Sequence, residues 1–456
     1  MVFSSIPFLF FFLPVFLILY YIVPFKFKNI ILLIFSLIFY AWGEPVYILL
    51  MIFSSVVDYN NGRLMEKYPN RKKIFLISSV IINLSLLFFF KYSNFLIDNI
   101  NNIFNLNIKF LNLSLPIGIS FYTFQTMSYS IDVYRNQVKA SHNFLNFMTY
   151  VCMFPQLIAG PIVRYSLVSS ELEKRSINFD NFKLGLNRFL LGLFKKVLIA
   201  NNIGYIFTFV TSMKISDISV MSAWISVIAF TFQIYFDFSG YSDMAIGLGK
   251  MLGFTYPENF NYPFKSCSIT EFWRRWHISL STFFKDYVYI PLGGNRKHQL
   301  RNILIVWALT GLWHGASWNF IIWGLYFGIL LILEKYVLKK YIEKTPTAIR
   351  YILTMFLVII SFYIFAFDDT TKLIDFGKIL FGLSTNVFID NTFLFIIKNY
   401  FLIFLISYIL SIGIYKILER NKYYGFISNI LYILLFIETI AYLISSSYNP
   451  FLYFRF

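Results

Sequence analysis

Charged residues are scarce in this chain. Only 13% of its 456 residues are Asp, Glu, Lys or Arg, whereas 58% are apolar. Soluble domains carry about 25% charged and about 45–50% apolar residues. Apolar runs recur along the whole length, with no long polar block between them, and the mean hydropathy is +0.66. This composition excludes a water-soluble globule and predicts an all-α, multi-pass membrane protein that forms a single membrane domain over 1–456.

Cysteine and histidine are also scarce. Cys152 and Cys267 lie far apart, and the four histidines form no cluster with the spacing of metal ligands. Neither a disulfide scaffold nor a metal site is therefore expected. The first 24 residues lack a basic start and a small-residue cleavage site, which predicts a retained membrane helix and not a signal peptide. The chain also lacks GxSxG, HExxH and P-loop patterns.

The net charge of +17 comes mainly from short loops between apolar runs. Six loops hold 28 of the 39 basic residues: 24–29, 58–73, 164–188, 250–301, 334–350 and 416–422. By the positive-inside rule these loops are predicted to be cytoplasmic, and the Asp-richer segment 368–398 and the N-terminus to face outward. The positive charge is thus explained by membrane orientation, and no nucleic-acid partner is expected.

Two apolar stretches are poor candidates for simple membrane-spanning helices. The stretch 115–134 combines a proline and a glycine with several hydroxyl side chains, and 186–210 carries Lys195 and Lys196 at its middle. Irregular or polar segments are tolerated at membrane depth where protein surrounds them. We therefore expect re-entrant, buried or broken helices around a solvated interior.

The segment 268–287 is predicted to form one interfacial helix on the cytoplasmic surface. Ser268 and Glu271 have the spacing of a capping box at its start. Its apolar face is formed by Trp273, Trp276, Leu280, Phe283, Phe284 and Tyr287. Arg274, Arg275 and Lys285 project from the other side. His277 falls at the edge of the apolar face, either as a packing residue or as a polar group lining a route from the cytosol.

The stretch 302–333 contains 32 residues without Asp, Glu, Lys or Arg. A single span needs about 20 residues, and both ends are predicted to be cytoplasmic, so we expect a break inside the membrane. His314 lies between Gly311 and Gly315, near Trp313, Trp318 and Trp323. An ionisable residue at this depth is by default functional; the alternative is a histidine satisfied by a neighbouring carbonyl. Burial favours the neutral imidazole that a general base requires.

Asp237 and Asp243 interrupt another membrane-compatible run. Six helical residues place them about 120° apart, so they do not form a paired-carboxylate site. We expect them to cap or join helices.

Five motifs together resemble the membrane-bound O-acyltransferase (MBOAT) family, and most closely its alginate O-acetyltransferase branch. They span about 110–330, the motif-bearing core. In chain order they are PIGISFYTFQTMSYSIDVYR (116–135), MFPQLIAGPIVR (153–164), YFDFSGYSDMAIGLGKMLGF (235–254), FWRRWHISLSTFFKDYVYIPLGGNR (272–296) and GLWHGASWNFIIWG (311–324).

The resemblance implies a ring of about nine to eleven transmembrane helices, some broken, around a central funnel. It identifies His314 and His277 as catalytic residues, and Trp313, Trp276 and Asp237 become candidates for the funnel lining. It implies an acyl thioester as donor substrate (acetyl-CoA or an acyl-carrier thioester) and no bound cofactor. It further implies an extracytoplasmic acetyltransferase partner, a polysaccharide acceptor and a location in the bacterial cytoplasmic membrane.

Several functions remain open at this stage. The element YIPLGGNR (289–296) favours O-acetylation of an extracellular or cell-wall polysaccharide over D-alanyl transfer to teichoic acid within the same fold. Acylation of a lipid is a further option. A transporter or flippase also fits broken helices and polar midplane residues, but the two halves show no inverted repeat, and we expect no buried relay of carboxylates and basic residues.

Overall fold

The computed structural model describes residues 1–158, 160–414, 424–445 and 451–452, and these residues form helices and loops without a strand. The chain divides into two compact units. The first comprises Met1–Leu191 and Tyr241–Glu258, and the second comprises Gly192–Gly240 and Asn259–Phe456.

The helices of the first part of the chain are α1 (Leu13–Ile22), α2 (Phe25–Ala41), α3 (Ile48–Lys67), α4 (Lys72–Phe104), α5 (Ile119–Tyr134), α6 (Phe144–Cys152), α7 (Phe154–Leu157), α8 (Tyr165–Glu173), α9 (Phe179–Phe194), α10 (Asn201–Thr211) and α11 (Val220–Met251). Those of the remainder are α12 (Ile269–Arg275), α13 (Ile278–Phe284), α14 (Gln299–His314), α15 (Trp318–Tyr336), α16 (Lys339–Lys344), α17 (Thr347–Ala366), α18 (Thr370–Leu380), α19 (Asn391–Ile412) and α20 (Tyr424–Ser445).

Seven helices of the described chain are long and apolar enough to cross a membrane. They are Pro69–Phe104, Phe179–Thr211, Val220–Met251, Trp318–Tyr336, Thr347–Ala366, Asn391–Ile412 and Ser428–Ser445. The predicted class, an all-α multi-pass membrane protein, is confirmed. The number of nine to eleven crossings, the funnel and the single domain over 1–456 stay predictions.

Helix α5 is the poor span expected at 115–134, and it is buried along almost its whole length. Its Ser130 hydroxyl donates to the carboxylate of Asp58 on α3, at 3.0 Å. Asn83 on α4 donates to the same carboxylate at 2.7 Å, and the Ser79 hydroxyl does so as well. Because buried polar groups require such partners, the hydroxyl-rich sequence of α5 is explained by its position inside a bundle.

The lysines of 186–210 lie in a π-helical turn, Lys195–Ala200, that connects α9 to α10. The helix therefore continues through the two lysines, with its backbone locally widened into a π-helical turn. Such turns are frequent at functional positions. Gly240 of α11 faces this turn, where an added Cβ would lie 2.7 Å from the Gly192 carbonyl oxygen. The missing side chain thus lets α11 approach the turn closely.

The predicted break in 302–333 is confirmed. Helix α14 ends at His314, and α15 begins at Trp318 and returns antiparallel to it. The two helices approach closely because an added Cβ on Gly311 would collide with the Phe320 carbonyl, and one on Gly324 with the Trp307 carbonyl. Glycines on both arms therefore form a tight helical hairpin with His314 at its apex.

The prediction of one continuous helix over 268–287 is wrong. Helix α12 ends at Arg275, α13 begins at Ile278, and a π-helical turn, Lys285–Tyr289, follows. The backbone breaks because His277 adopts a left-handed conformation, with φ at 43°, which a helix cannot continue through. The predicted cap is confirmed, since the Ser268 hydroxyl accepts the Glu271 N–H at 3.0 Å. All six residues predicted for the apolar face are buried.

Candidate active site

His314 lies at the end of α14 in an aromatic box within the second unit. Only 4% of the residue is exposed. The rings of Trp313, Trp323 and Phe365 stand nearly perpendicular to the imidazole, at centroid distances of 5.1, 4.8 and 5.4 Å. Trp318, which the sequence also placed near His314, is 52% exposed. The hairpin apex therefore holds the imidazole in a narrow, largely apolar setting.

His277 is fully buried, and its hydrogen bonds define its tautomer. Its Nδ1 lies 3.1 Å from the Asn259 side-chain oxygen. The same oxygen accepts the Ser279 backbone N–H and the Ser279 hydroxyl, at 3.3 and 2.8 Å. A backbone N–H can only donate, which assigns this atom of Asn259 as the acceptor. His277 Nδ1 therefore carries the proton and donates it, and Nε2 presents a lone pair.

The backbone around His277 is fixed by pairing with the segment that contains Asn259. The Ile278 N–H donates to the Asn259 carbonyl at 2.9 Å, and the Asn261 N–H donates to the Arg275 carbonyl, also at 2.9 Å. Histidine tolerates left-handed φ better than most residues, so the break between α12 and α13 causes little backbone strain at this position. It aims the imidazole inward.

His277 lies outside the seven candidate spans, and burial lowers its pKa to about 3. The cause is desolvation, which disfavours the charged imidazolium. Nε2 is buried and has no hydrogen-bond partner among the described residues. Neutral His277 thus offers one acceptor atom to a ligand.

Trp313 connects the two histidines. Its ring centroid lies 5.7 Å from that of His277 and 5.1 Å from that of His314. The structure therefore brings together three of the five residues predicted from the sequence. A fourth, Trp276, packs one layer back against Phe272 and Phe362, at 5.6 and 5.1 Å. A place for Trp313 and Trp276 in a funnel lining stays a prediction.

The fifth residue, Asp237, forms a buried ion pair with Lys196. The exposed fractions of the two side chains are 2% and 5%. The backbone N–H of Leu452 also donates to Asp237 Oδ2 at 2.7 Å. Asp243 forms a separate pair, with Arg188 at 2.7 Å. Both aspartates join helices as expected, and the buried pair of Lys196 and Asp237 was not anticipated from the sequence. No sequence pattern indicates that a lysine and an aspartate 41 positions apart form an ion pair.

Sequence reasoning also missed three residues that position the histidines: Asn259, Phe238 and Phe365. Phe238 stands perpendicular to His277 at 4.6 Å and contacts Phe451 at 5.9 Å. In a chain with 57 phenylalanines, no local pattern distinguishes these two rings. Asn259 lies in a loop without periodicity.

The described part of the chain contains no group of three or more His, Cys, Asp or Glu side chains placed to bind a metal. The two histidines are surrounded by aromatic rings and an amide. Such a setting suits proton transfer and hydrogen bonding.

Comparison with known proteins shows the family to which the chain belongs. Residues 135–374, more than half of the chain, match the family described as MBOAT, membrane-bound O-acyltransferase family. A probable alginate O-acetylase, AlgI, of Pseudomonas aeruginosa is 44% identical over 81% of this chain and 72% of that protein. The peptidoglycan O-acetyltransferase of Helicobacter pylori is 37% identical over 84% of this chain and 80% of that protein.

A more distant relative, the teichoic acid D-alanyltransferase of Bacillus subtilis, is 29% identical over 56% of this chain and 69% of that protein. The matched region contains both histidines, Trp313 and the ion pair of Asp237. The chain therefore belongs to the membrane-bound O-acyltransferase family and is a multi-pass membrane O-acyltransferase.

Proposed function

We propose that this enzyme passes an acetyl group from a cytoplasmic thioester across the membrane for O-acetylation of an extracellular or cell-wall polysaccharide. The observation that carries the proposal is the placement of His314 at the apex of a broken helix. The indole of Trp313 contacts both His314 and His277 there. Two relatives that cover most of this chain are named as O-acetylating enzymes.

In this mechanism His314 is the general base. It removes the proton of an acceptor hydroxyl as the hydroxyl oxygen attacks the thioester carbonyl carbon. A C–O bond forms, the C–S bond breaks, and the proton passes from the imidazolium to the departing thiolate. A positioned base contributes about 10²–10⁴-fold to such a step. The surrounding rings of Trp313, Trp323 and Phe365 exclude water, which would otherwise hydrolyse the thioester.

His277 has a different role in this proposal. With a pKa of about 3 it stays neutral and is a weak base near neutrality. Its Nε2 lone pair suits accepting a hydrogen bond from the donor or the acceptor hydroxyl. Asn259 fixes the tautomer that leaves this lone pair available.

The proposed location is the bacterial cytoplasmic membrane. The basic loops 58–73, 250–301 and 334–350 would face the cytosol, and 368–398 the outside. The predicted cytoplasmic loop 416–422 lies outside the described residues. Single cysteines in these loops, in a variant without Cys152 and Cys267, can be probed with an impermeant thiol reagent. Labelling of 250–301 from outside intact cells would overturn this orientation.

The donor and the partner are proposed from the resemblance to the O-acetylating branch of the family. A thioester entering from the cytosol would be acetyl-CoA or an acyl-carrier thioester. The acetyl group would then reach the polysaccharide with the help of an extracytoplasmic acetyltransferase. Transfer of D-alanine to teichoic acid is the alternative, and the relative with that name covers less of this chain than the O-acetylating relatives do.

The test is turnover by purified protein in lipid nanodiscs. Acetyl-CoA, an acetyl-carrier thioester and a D-alanyl-carrier thioester are supplied in parallel, each with and without a polysaccharide acceptor, and release of free thiol is measured. We expect acetyl thioester consumption that rises with the acceptor and falls in His314→Gln. Consumption of the D-alanyl thioester alone would support the alternative. Well-folded protein that consumes no thioester would contradict acyl transfer and favour a transporter.

A further inference from the structure

A cavity lies in the second compact unit, and neither His277 nor His314 lines it. It has a volume of about 410 Å³ and is enclosed by α11, α17 and α19. All three helices are candidate membrane spans. Its lining includes Thr231, Met355, Val358 and Ile359, together with Phe401 and Ser411 on α19.

Away from the hydroxyls of Tyr351 and Tyr408 at one end, the wall of this cavity is apolar. The Thr231 hydroxyl donates to the Val227 carbonyl at 2.8 Å. The Ser411 hydroxyl donates to the Tyr408 carbonyl at 2.8 Å, and the Tyr351 hydroxyl donates to that of Tyr408 at 3.3 Å. The remaining lining is aliphatic, aromatic or thioether. Apolar cavities of this kind exclude water and take apolar molecules.

The cavity runs from the protein interior to the membrane-facing surface. Val358 and Ser411 at its inner wall are 1% and 0% exposed, whereas Phe401 and Tyr408 at its rim are 59% and 43% exposed. The rim belongs to a membrane-spanning helix, so the medium outside it is lipid. Lipid hydrocarbon is therefore the apolar material with direct access.

One end of the cavity carries the hydroxyl pair of Tyr351 and Tyr408. Tyrosine is enriched where the bilayer meets water. This end adjoins the basic segment 334–350, which is predicted to be cytoplasmic. The Arg350 Nε at the end of that segment is buried and has no hydrogen-bond partner among the described residues. The polar end thus matches the headgroup side of the inner leaflet.

We propose that one acyl chain of an inner-leaflet phospholipid occupies this cavity. The chain enters past Phe401 and packs against Val358 and Phe264, with its headgroup at the end marked by Tyr351 and Tyr408. Phe264 stacks on Trp276 at 6.3 Å, and Trp276 precedes His277 in the chain. The lipid would therefore support the wall behind the histidines. The proposal does not depend on the substrate of the enzyme.

Photocrosslinking tests this proposal without an activity assay. The protein is reconstituted in nanodiscs with phosphatidylglycerol that carries a diazirine in one acyl chain, irradiated, and analysed by peptide mass spectrometry. We expect crosslinks on inner-wall residues such as Thr231, Met355 and Val358. In Ile359→Trp, which fills the cavity from α17, the yield at these positions should fall at least about fivefold, whereas crosslinks on outward faces persist.

Leu353→Trp is the matched control, because the same substitution lies on the same helix at a residue that is 55% exposed and does not line the cavity. Its crosslinks should match those of the unaltered protein. Ser411→Phe fills the cavity from α19 and should reproduce the loss. Two results would overturn the proposal: no crosslinks to the inner wall in the unaltered protein, or the same yield at those residues in both filled variants.

Discussion

The buried pair of Lys196 and Asp237 gives a prediction whose size follows from burial. Both side chains are at most 5% exposed, so removing either partner takes the ion-pair partner from a charge that stays buried in a low-dielectric interior. Such losses amount to about 3–5 kcal/mol of unfolding free energy. Replacing both partners with apolar residues is often neutral or stabilising. We expect Lys196→Met and Asp237→Leu each to destabilise by that amount, and the double variant to recover most of the loss.

The assay is equilibrium unfolding in mixed detergent–lipid micelles, with the four proteins of the cycle measured side by side. Lys378→Met is the control. Lys378 pairs with Asp375 at 2.8 Å, but its side chain is 54% exposed, so its loss should cost less than about 1 kcal/mol. Single losses below 1 kcal/mol, or a double variant that loses the sum of both, would refute the reasoning. Acyl transfer by a stable double variant then tests the predicted place of Asp237 in the funnel lining.

Three further predictions concern the site. Gly311→Ala should lower the unfolding free energy by about 1–3 kcal/mol by overpacking the hairpin, and it should also lower turnover. Gly43→Ala is the control, because its Cβ would meet its nearest neighbour at 3.7 Å. It should change neither the melting temperature nor the rate of thiol release. Because the folded pKa of His277 is about 3 and the unfolded one about 6.5, the unfolded state binds the extra proton between these values. The unfolding free energy should therefore fall by up to about 1.4 kcal/mol per pH unit on acidification through that window. His277→Asn should remove this contribution to the slope, because asparagine also tolerates left-handed φ. An unchanged slope would contradict the low pKa. Trp273→Ala should cost about 3–5 kcal/mol, measured by unfolding, because its ring packs at 4.5 Å on Trp307; a loss below 1 kcal/mol would contradict that packing.

The features predictable from sequence were those set by length and polarity. A charge-free stretch of 32 residues exceeds one span, and its glycines mark where it turns, so the apex at His314 could be inferred. The hydroxyl-rich stretch of α5 likewise required a protein environment and is buried. Both inferences follow from the cost of polar or irregular backbone in lipid.

The remaining features depend on tertiary contacts. The break at His277 carries no glycine or proline, and it becomes understandable only when Asn259 is seen to bind its Nδ1 and the neighbouring backbone. The pair of Lys196 and Asp237 joins positions far apart in sequence through a π-helical turn that has no clear sequence signal. Helical periodicity predicted the buried faces of α12 and α13 but could not show where the helix stops.

The central claim is that His314 is the general base of acyl transfer, and one substitution tests it most directly. Acetyl thioester turnover by His314→Gln in nanodiscs should be about 10²–10⁴-fold below that of the unaltered protein, with an unchanged elution profile. His142→Gln, the same substitution at a histidine whose side chain is 65% exposed, should keep full activity. Turnover at the unaltered level by well-folded His314→Gln would contradict the claim.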